Sequence, residues 1–68
     1  MDFNGAKFGE LLRSVREEKI WSQEELAEKM GVSFATINRL EQGHHDPSFK
    51  TQSKFKQMCK AEGIKFEN

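Results

Sequence analysis

Apolar residues in this chain recur every three or four positions, in short runs punctuated by serine, glycine and a single proline. That period belongs to helices with one buried face, and the strict alternation of half-buried strands is nearly absent. Phe8, Leu11, Leu12 and Val15 set the first run and predict a helix over 5–18. Asn4 is placed to cap it, with Phe3 and Phe8 as an apolar staple across the cap. Ser22 opens the second helix. Its hydroxyl can accept a backbone N–H and Glu25, three residues on, can return the bond, which completes a capping box. Trp21 and Leu26 form the staple, the helix runs through Ala27 to Met30, and Gly31 supplies the left-handed residue that ends it. Ser33 repeats the arrangement with Val32 and Ile37, for a third helix that passes Leu40 and stops near Gly43. Pro47 and Ser48 announce a fourth over 49–61, closed by Gly63. Its apolar stripe is Phe49, Phe55, Met58 and Cys59, interrupted by Gln52 and Ser53. Ile64, Lys65 and Phe66 alternate like a strand that has no partner strand here, and are expected to dock on the core or pair with another chain.

The pattern therefore predicts an all-α fold, a compact bundle of four to five helices. A tail over 1–4 precedes a domain over 5–63, and a second tail covers 64–68. Within the domain, 22–43 meets a demanding set of conditions. Two short helices cross at a sharp angle only if the near helix has buried contacts, here Leu26 and Met30, and a small residue at the crossing, here Ala27. The turn needs a residue at ease with positive φ, here Gly31. Val32, Ile37 and Leu40 then bury the inner side of the next helix. On a helical wheel that leaves Phe34, Ala35, Asn38, Arg39 and Gln42 on the outer face, with Ser33 at the exposed start.

The segment SQEELAEKMGVSFATINRLEQG resembles the phage-repressor (Cro and cI) class of helix-turn-helix regulators, and the likeness runs from Leu11 to about Gly63. The resemblance implies a lambda-repressor-like bundle that binds double-stranded DNA as a homodimer and regulates transcription. The helix over 33–42 would enter the major groove, N-terminus first. Ser33, Phe34, Ala35 and Arg39 occupy the family's base-reading positions, and Asn38 shares their face. Arg39 can donate two hydrogen bonds to guanine O6 and N7, while Phe34 and Ala35 suit a thymine methyl. The family often carries polar side chains at those two positions, so this chain should make fewer directional base contacts. Gln23, at a helix start whose free N–H groups favour an anion, matches a family phosphate contact. Gln42, His44, His45 and Lys50 would lie along the neighbouring phosphates. Arg16 and Glu41 match a pair that joins the family's first helix to the end of its recognition helix. The resemblance also implies that some relatives continue beyond the equivalent of Ile64, which leaves room for an additional domain or a protein partner.

Composition narrows the remaining choices. Sixty-eight residues make one domain, with no room in this chain for a separate effector-sensing module. One cysteine rules out an intrachain disulfide, and His44 and His45 have no companions at zinc-ligand spacing, so neither metal nor cofactor is expected. No apolar stretch approaches the roughly 18 residues of a membrane span, and a free thiol suits a reducing cytoplasm. No nucleophile–base pair, carboxylate dyad or phosphate-cradling glycine loop points to an enzyme. Eleven basic residues balance eleven acidic ones, unlike the basic excess of many nucleic-acid binders. The charges are segregated, however: Glu24, Glu25 and Glu28 crowd the second helix, and Lys50, Lys54, Lys56 and Lys60 the fourth. Zero net charge and an apolar outer pair, Phe34 and Ala35, support a second reading as a protein-interaction module, antitoxin-like or the adapter of a larger protein. Trp21 and Cys59 are expected in the core.

Overall fold

The protein is described by a computed structural model covering residues 4–65; Phe3 and Phe66, and with them the first staple and the end of the alternating tail, lie outside the described residues. Among the described residues the chain forms α1 (Gly5–Lys19), α2 (Gln23–Met30), α3 (Phe34–Glu41) and α4 (Phe49–Glu62), with no strand. Each helix starts at a polar side chain that satisfies a backbone N–H of the first turn. Asn4 accepts from Lys7, Ser22 from Glu25, Ser33 from Thr36 and Ser48 from Thr51. At α2 the Glu25 carboxylate also accepts the Ser22 N–H at 3.0 Å, so the capping box is complete.

Three of the four helices end alike. Ile20, Gly31 and Gly63 adopt left-handed backbone angles, and the next residue returns its N–H to a carbonyl five positions back. That next residue is Trp21, Val32 or Ile64, and each lies half-buried against the core. Trp21 and Val32 therefore close one helix and, packed against the core, stand directly before the serine that caps the next. Ile64 thus docks inward rather than extending as a strand. α1 and α4 each run one residue past their expected ends, and α1 stops without a glycine, at Ile20.

The core gathers Phe8, Leu12 and Val15 from α1, Leu26, Ala27 and Met30 from α2, Ile37 and Leu40 from α3, and Phe55, Met58 and Cys59 from α4. Phe8 and Phe55 meet edge to face with ring centroids 5.3 Å apart, a preferred aromatic geometry. Leu11 is only partly buried. Phe49 is not on the α4 stripe at all: it is 87 % exposed. Six positions separate it from Phe55, a third of a turn short of two full turns, so its side chain leaves the buried face. Burial pushes the Cys59 thiol up to about 11, which makes it an inert core group.

Gly9 sets how closely α1 approaches α3. A β-carbon there would stand 2.6 Å from the Leu40 carbonyl oxygen, so only glycine lets the helices touch. A little upstream, the Gly5 N–H donates to an Asp46 carboxylate oxygen at 2.6 Å, which ties the loop between α3 and α4 to the start of α1.

Candidate nucleic-acid interface

The angle between α2 and α3 is fixed by three residues, Gly31, Val32 and Ser33. Gly31 turns the chain at φ 72, Val32 buries part of its side chain, and the Ser33 hydroxyl restarts the helix by accepting the Thr36 N–H at 3.1 Å. α3 then buries Ile37, Leu40 and Glu41 on its inner side. Its outer side carries Phe34, 47 % exposed, together with exposed Ala35 and Arg39. Asn38 is partly covered, and its side-chain oxygen accepts from the Gln42 amide at 3.0 Å. The Ser33 hydroxyl also bonds that of Thr36 at 2.8 Å, so this side chain is committed to its own helix first. His44 and His45 stand exposed in the loop after α3, and Lys50 is exposed in the first turn of α4.

What holds α3 at its C-terminal end is a buried carboxylate. The Glu41 side chain is 2 % exposed and receives both arms of Arg16, Nε at 2.8 Å and Nη2 at 2.9 Å. Gln23 adds an amide N–H at 3.2 Å to the same carboxylate. Arg16 also reaches the Trp21 carbonyl at 3.4 Å. Burial alone would push the Glu41 carboxyl up, but the bonds from Arg16 and Gln23 and the charges of Arg16 and Arg13 outweigh it and leave it below its ordinary value. The bond to Glu41 likewise raises Arg16 against the cost of its own partial burial. α1, α2 and α3 thus meet on one charge cluster.

Gln23 therefore lies where an anion site was expected, at the first turn of α2, with its amide already engaged by Glu41. A primary amide carries two N–H donors, so the second remains to face outward. The acidic residues of α2 do not crowd the cluster: Glu25 is used in the cap, and Glu24 and Glu28 point to solvent. Lys29 lies over the Trp21 ring, 5.4 Å from its centroid, and pairs with Glu62 at 3.3 Å. Lys54 donates to the Gly31 carbonyl at 3.1 Å, tying α4 to the turn of the motif. Of the α4 lysines, that one is structural.

Sequence reasoning passed over Arg13 and Asp46. Arg13 donates to the Glu41 carbonyl at 3.3 Å and places its Nε 3.6 Å from the carboxylate. Its spacing of three from Arg16 was the available signal, since positions three apart share a helix face. Asp46 bonds a residue 41 positions away, and no local pattern announces that. Among the described residues no group of three His, Cys, Asp or Glu is placed to hold a metal ion, and no helix is long and apolar enough to cross a membrane.

Two short helices at a glycine turn, the second with an exposed outer face, define a helix-turn-helix domain. The chain belongs to that family: the family model described as "Helix-turn-helix" matches residues 12–55. Over 51 residues it is 37 % identical to the ImmF control region 10 kDa protein of Bacillus phage phi105, covering 75 % of this chain and 57 % of that protein. Over 47 residues it is 45 % identical to an uncharacterized HTH-type transcriptional regulator of Methanocaldococcus jannaschii, covering 69 % of this chain and 67 % of that protein. The chain thus spans rather more than half the length of the phage relative and about two thirds of the archaeal one. No solved structure matches it.

Proposed function

We propose that this domain binds double-stranded DNA in the cytoplasm as a transcription regulator of the phage-repressor type, with α3 in the major groove. The observation that carries the reading is the outer face of α3. It is free of core duties, yet both ends are fixed, by the Ser33 cap and by the buried Glu41. A rigid helix with an exposed N-terminus is what the groove accepts. Arg39 donates to guanine, Phe34 and Ala35 meet thymine methyls, and Ser33 and Asn38 complete the base-reading face. Gln23, Gln42, His44, His45 and Lys50 contact phosphates on either side, and Arg16 with Glu41 serves as the structural pair beneath them. Two copies on a near-palindromic site place their recognition helices about one helical turn apart, roughly 34–36 Å.

Fluorescence anisotropy on a randomised duplex pool at two salt concentrations tests this reading. Binding should weaken steeply with salt as counterions are released. Arg39→Ala should lose about 1–3 kcal/mol on selected sites and little on random ones. Exposed Phe34 and Phe49 favour a second reading, a protein-interaction surface. Failure of the folded wild type to bind any duplex at low salt would select it.

A further inference from the structure

We propose that Arg13 is a phosphate anchor: a guanidinium supplied from α1 to bind a DNA backbone phosphodiester beside the C-terminal end of α3. The proposal rests on the DNA-binding reading above and extends it to a helix that reading leaves as scaffold. Charge count is the first argument. Glu41 is a single carboxylate facing two guanidinium groups. Arg16 takes both of its oxygens at hydrogen-bonding distance, whereas Arg13 stands off at 3.6 Å. Among the groups that pair directly, Arg13, Arg16 and Glu41, one positive charge is in excess, and the weaker pairing leaves it on Arg13; Glu17 acts on Arg16 only through space.

Position is the second. Arg13 Nη2 donates to the backbone carbonyl of Glu41, the residue before Gln42. That places the guanidinium at the end of α3 where Gln42 and the 43–46 loop begin. Exposure is the third: the Arg13 side chain is 54 % exposed, against 20 % for Arg16. A guanidinium offers five N–H donors in a planar fork that matches two phosphate oxygens. The contacts to Glu41 leave both Nη1 hydrogens and one Nη2 hydrogen for such a ligand. Because those contacts already hold the fork, less side-chain freedom is lost on binding than for an untethered lysine.

The test compares wild type, Arg13→Gln and Arg13→Lys by anisotropy, on mixed-sequence and selected duplexes, between about 50 and 200 mM salt. The slope of log affinity against log salt should fall by about 0.9 in Arg13→Gln, on both kinds of duplex. The advantage of wild type should therefore shrink about 3-fold across that range. Arg13→Lys should keep the slope. Since Arg13→Gln also removes a contact to Glu41, duplexes with single neutral methylphosphonates supply a second readout. One backbone position should weaken wild type and leave Arg13→Gln unaffected. An unchanged slope in Arg13→Gln, or equal sensitivity of both proteins to every methylphosphonate, overturns the anchor while leaving DNA binding intact. Absence of binding by wild type overturns the DNA reading itself, and the anchor with it.

Discussion

The turn from α1 to α2 and the turn from α2 to α3 have one plan and different chemistry. Each is three residues long: a left-handed residue, a half-buried apolar residue, and a serine that caps the next helix. In the second turn the left-handed residue is Gly31, at φ 72 and ψ 34; in the first it is Ile20, at φ 59 and ψ 46. Left-handed backbone costs an L-residue about 1–2 kcal/mol, and a β-branched one is a real outlier there. Nothing in the packing explains the isoleucine, whose side chain is 87 % exposed. The two turns also differ in what secures them. The first is tied to the buried network, since Arg16 reaches the Trp21 carbonyl and Gln23 reaches Glu41. The second has an exposed bond, from Lys54 to the Gly31 carbonyl. A strained turn held by a buried charge network thus sits beside a relaxed turn that needs little help.

The largest expected effect comes from removing the network. Glu41→Ala leaves Arg16 without its carboxylate and should cost about 3–5 kcal/mol in urea unfolding, nearer the lower figure because Arg16 keeps some exposure to water. Acid should reproduce the loss gradually. A carboxyl whose folded pKa lies below its unfolded value, about 4.3, stabilises fully above that value. The contribution then fades as pH falls through the lower folded pKa. Glu41→Gln should flatten this acid limb of the stability curve.

Moving the isoleucine into the second turn comes next. A β-carbon at Gly31 meets nothing within 4 Å, so Gly31→Ile should cost about 1 kcal/mol by thermal melting, the left-handed strain less the reduced freedom of the unfolded chain. Conversely, Ile20→Gly should stabilise by about 0.5–1 kcal/mol, the relieved strain less the added freedom of the unfolded chain. A destabilised Ile20→Gly would mean that the exposed isoleucine has a contact worth more than its strain. Lys54→Met should be the mildest change, roughly 0.5 kcal/mol or less, because exposed charged bonds are screened.

The same contrast marks what could be read from the sequence. Caps and staples act over three to five residues, so Ser22, Ser33 and Ser48 announced their helices and Gly31 its turn. The apolar set of the motif, Leu26, Ala27, Met30, Ile37 and Leu40, lies in the core. The end of α1 was legible only to within a residue, since a left-handed isoleucine carries no signal at all. Phe49 belongs to the apolar set of α4 by composition but not by angle, and it faces solvent. Through-space features stayed hidden for a different reason. Gly9 under the Leu40 carbonyl and Arg13 beside Glu41 depend on how two helices dock, which no single helix encodes. For the interface, helical periodicity marks the outer face of α3, while the commitment of Ser33, Gln23 and Asn38 to partners within the fold depends on side-chain geometry that periodicity does not carry.

The bond from Gly5 to Asp46 has a kinetic consequence. Capping bonds at Glu25, Thr36 and Thr51 close loops of a few residues and can form with each helix, on the submicrosecond scale of helix growth. Gly5 meets Asp46 only when 41 positions of chain have been drawn together, and that closure costs entropy which the local bonds never face. The seam between the start of α1 and the α3–α4 loop should therefore be the last to knit and the first to part. Amide exchange at Gly5 would then report on local opening of this seam, ahead of the core amides whose exchange needs the whole domain to unfold.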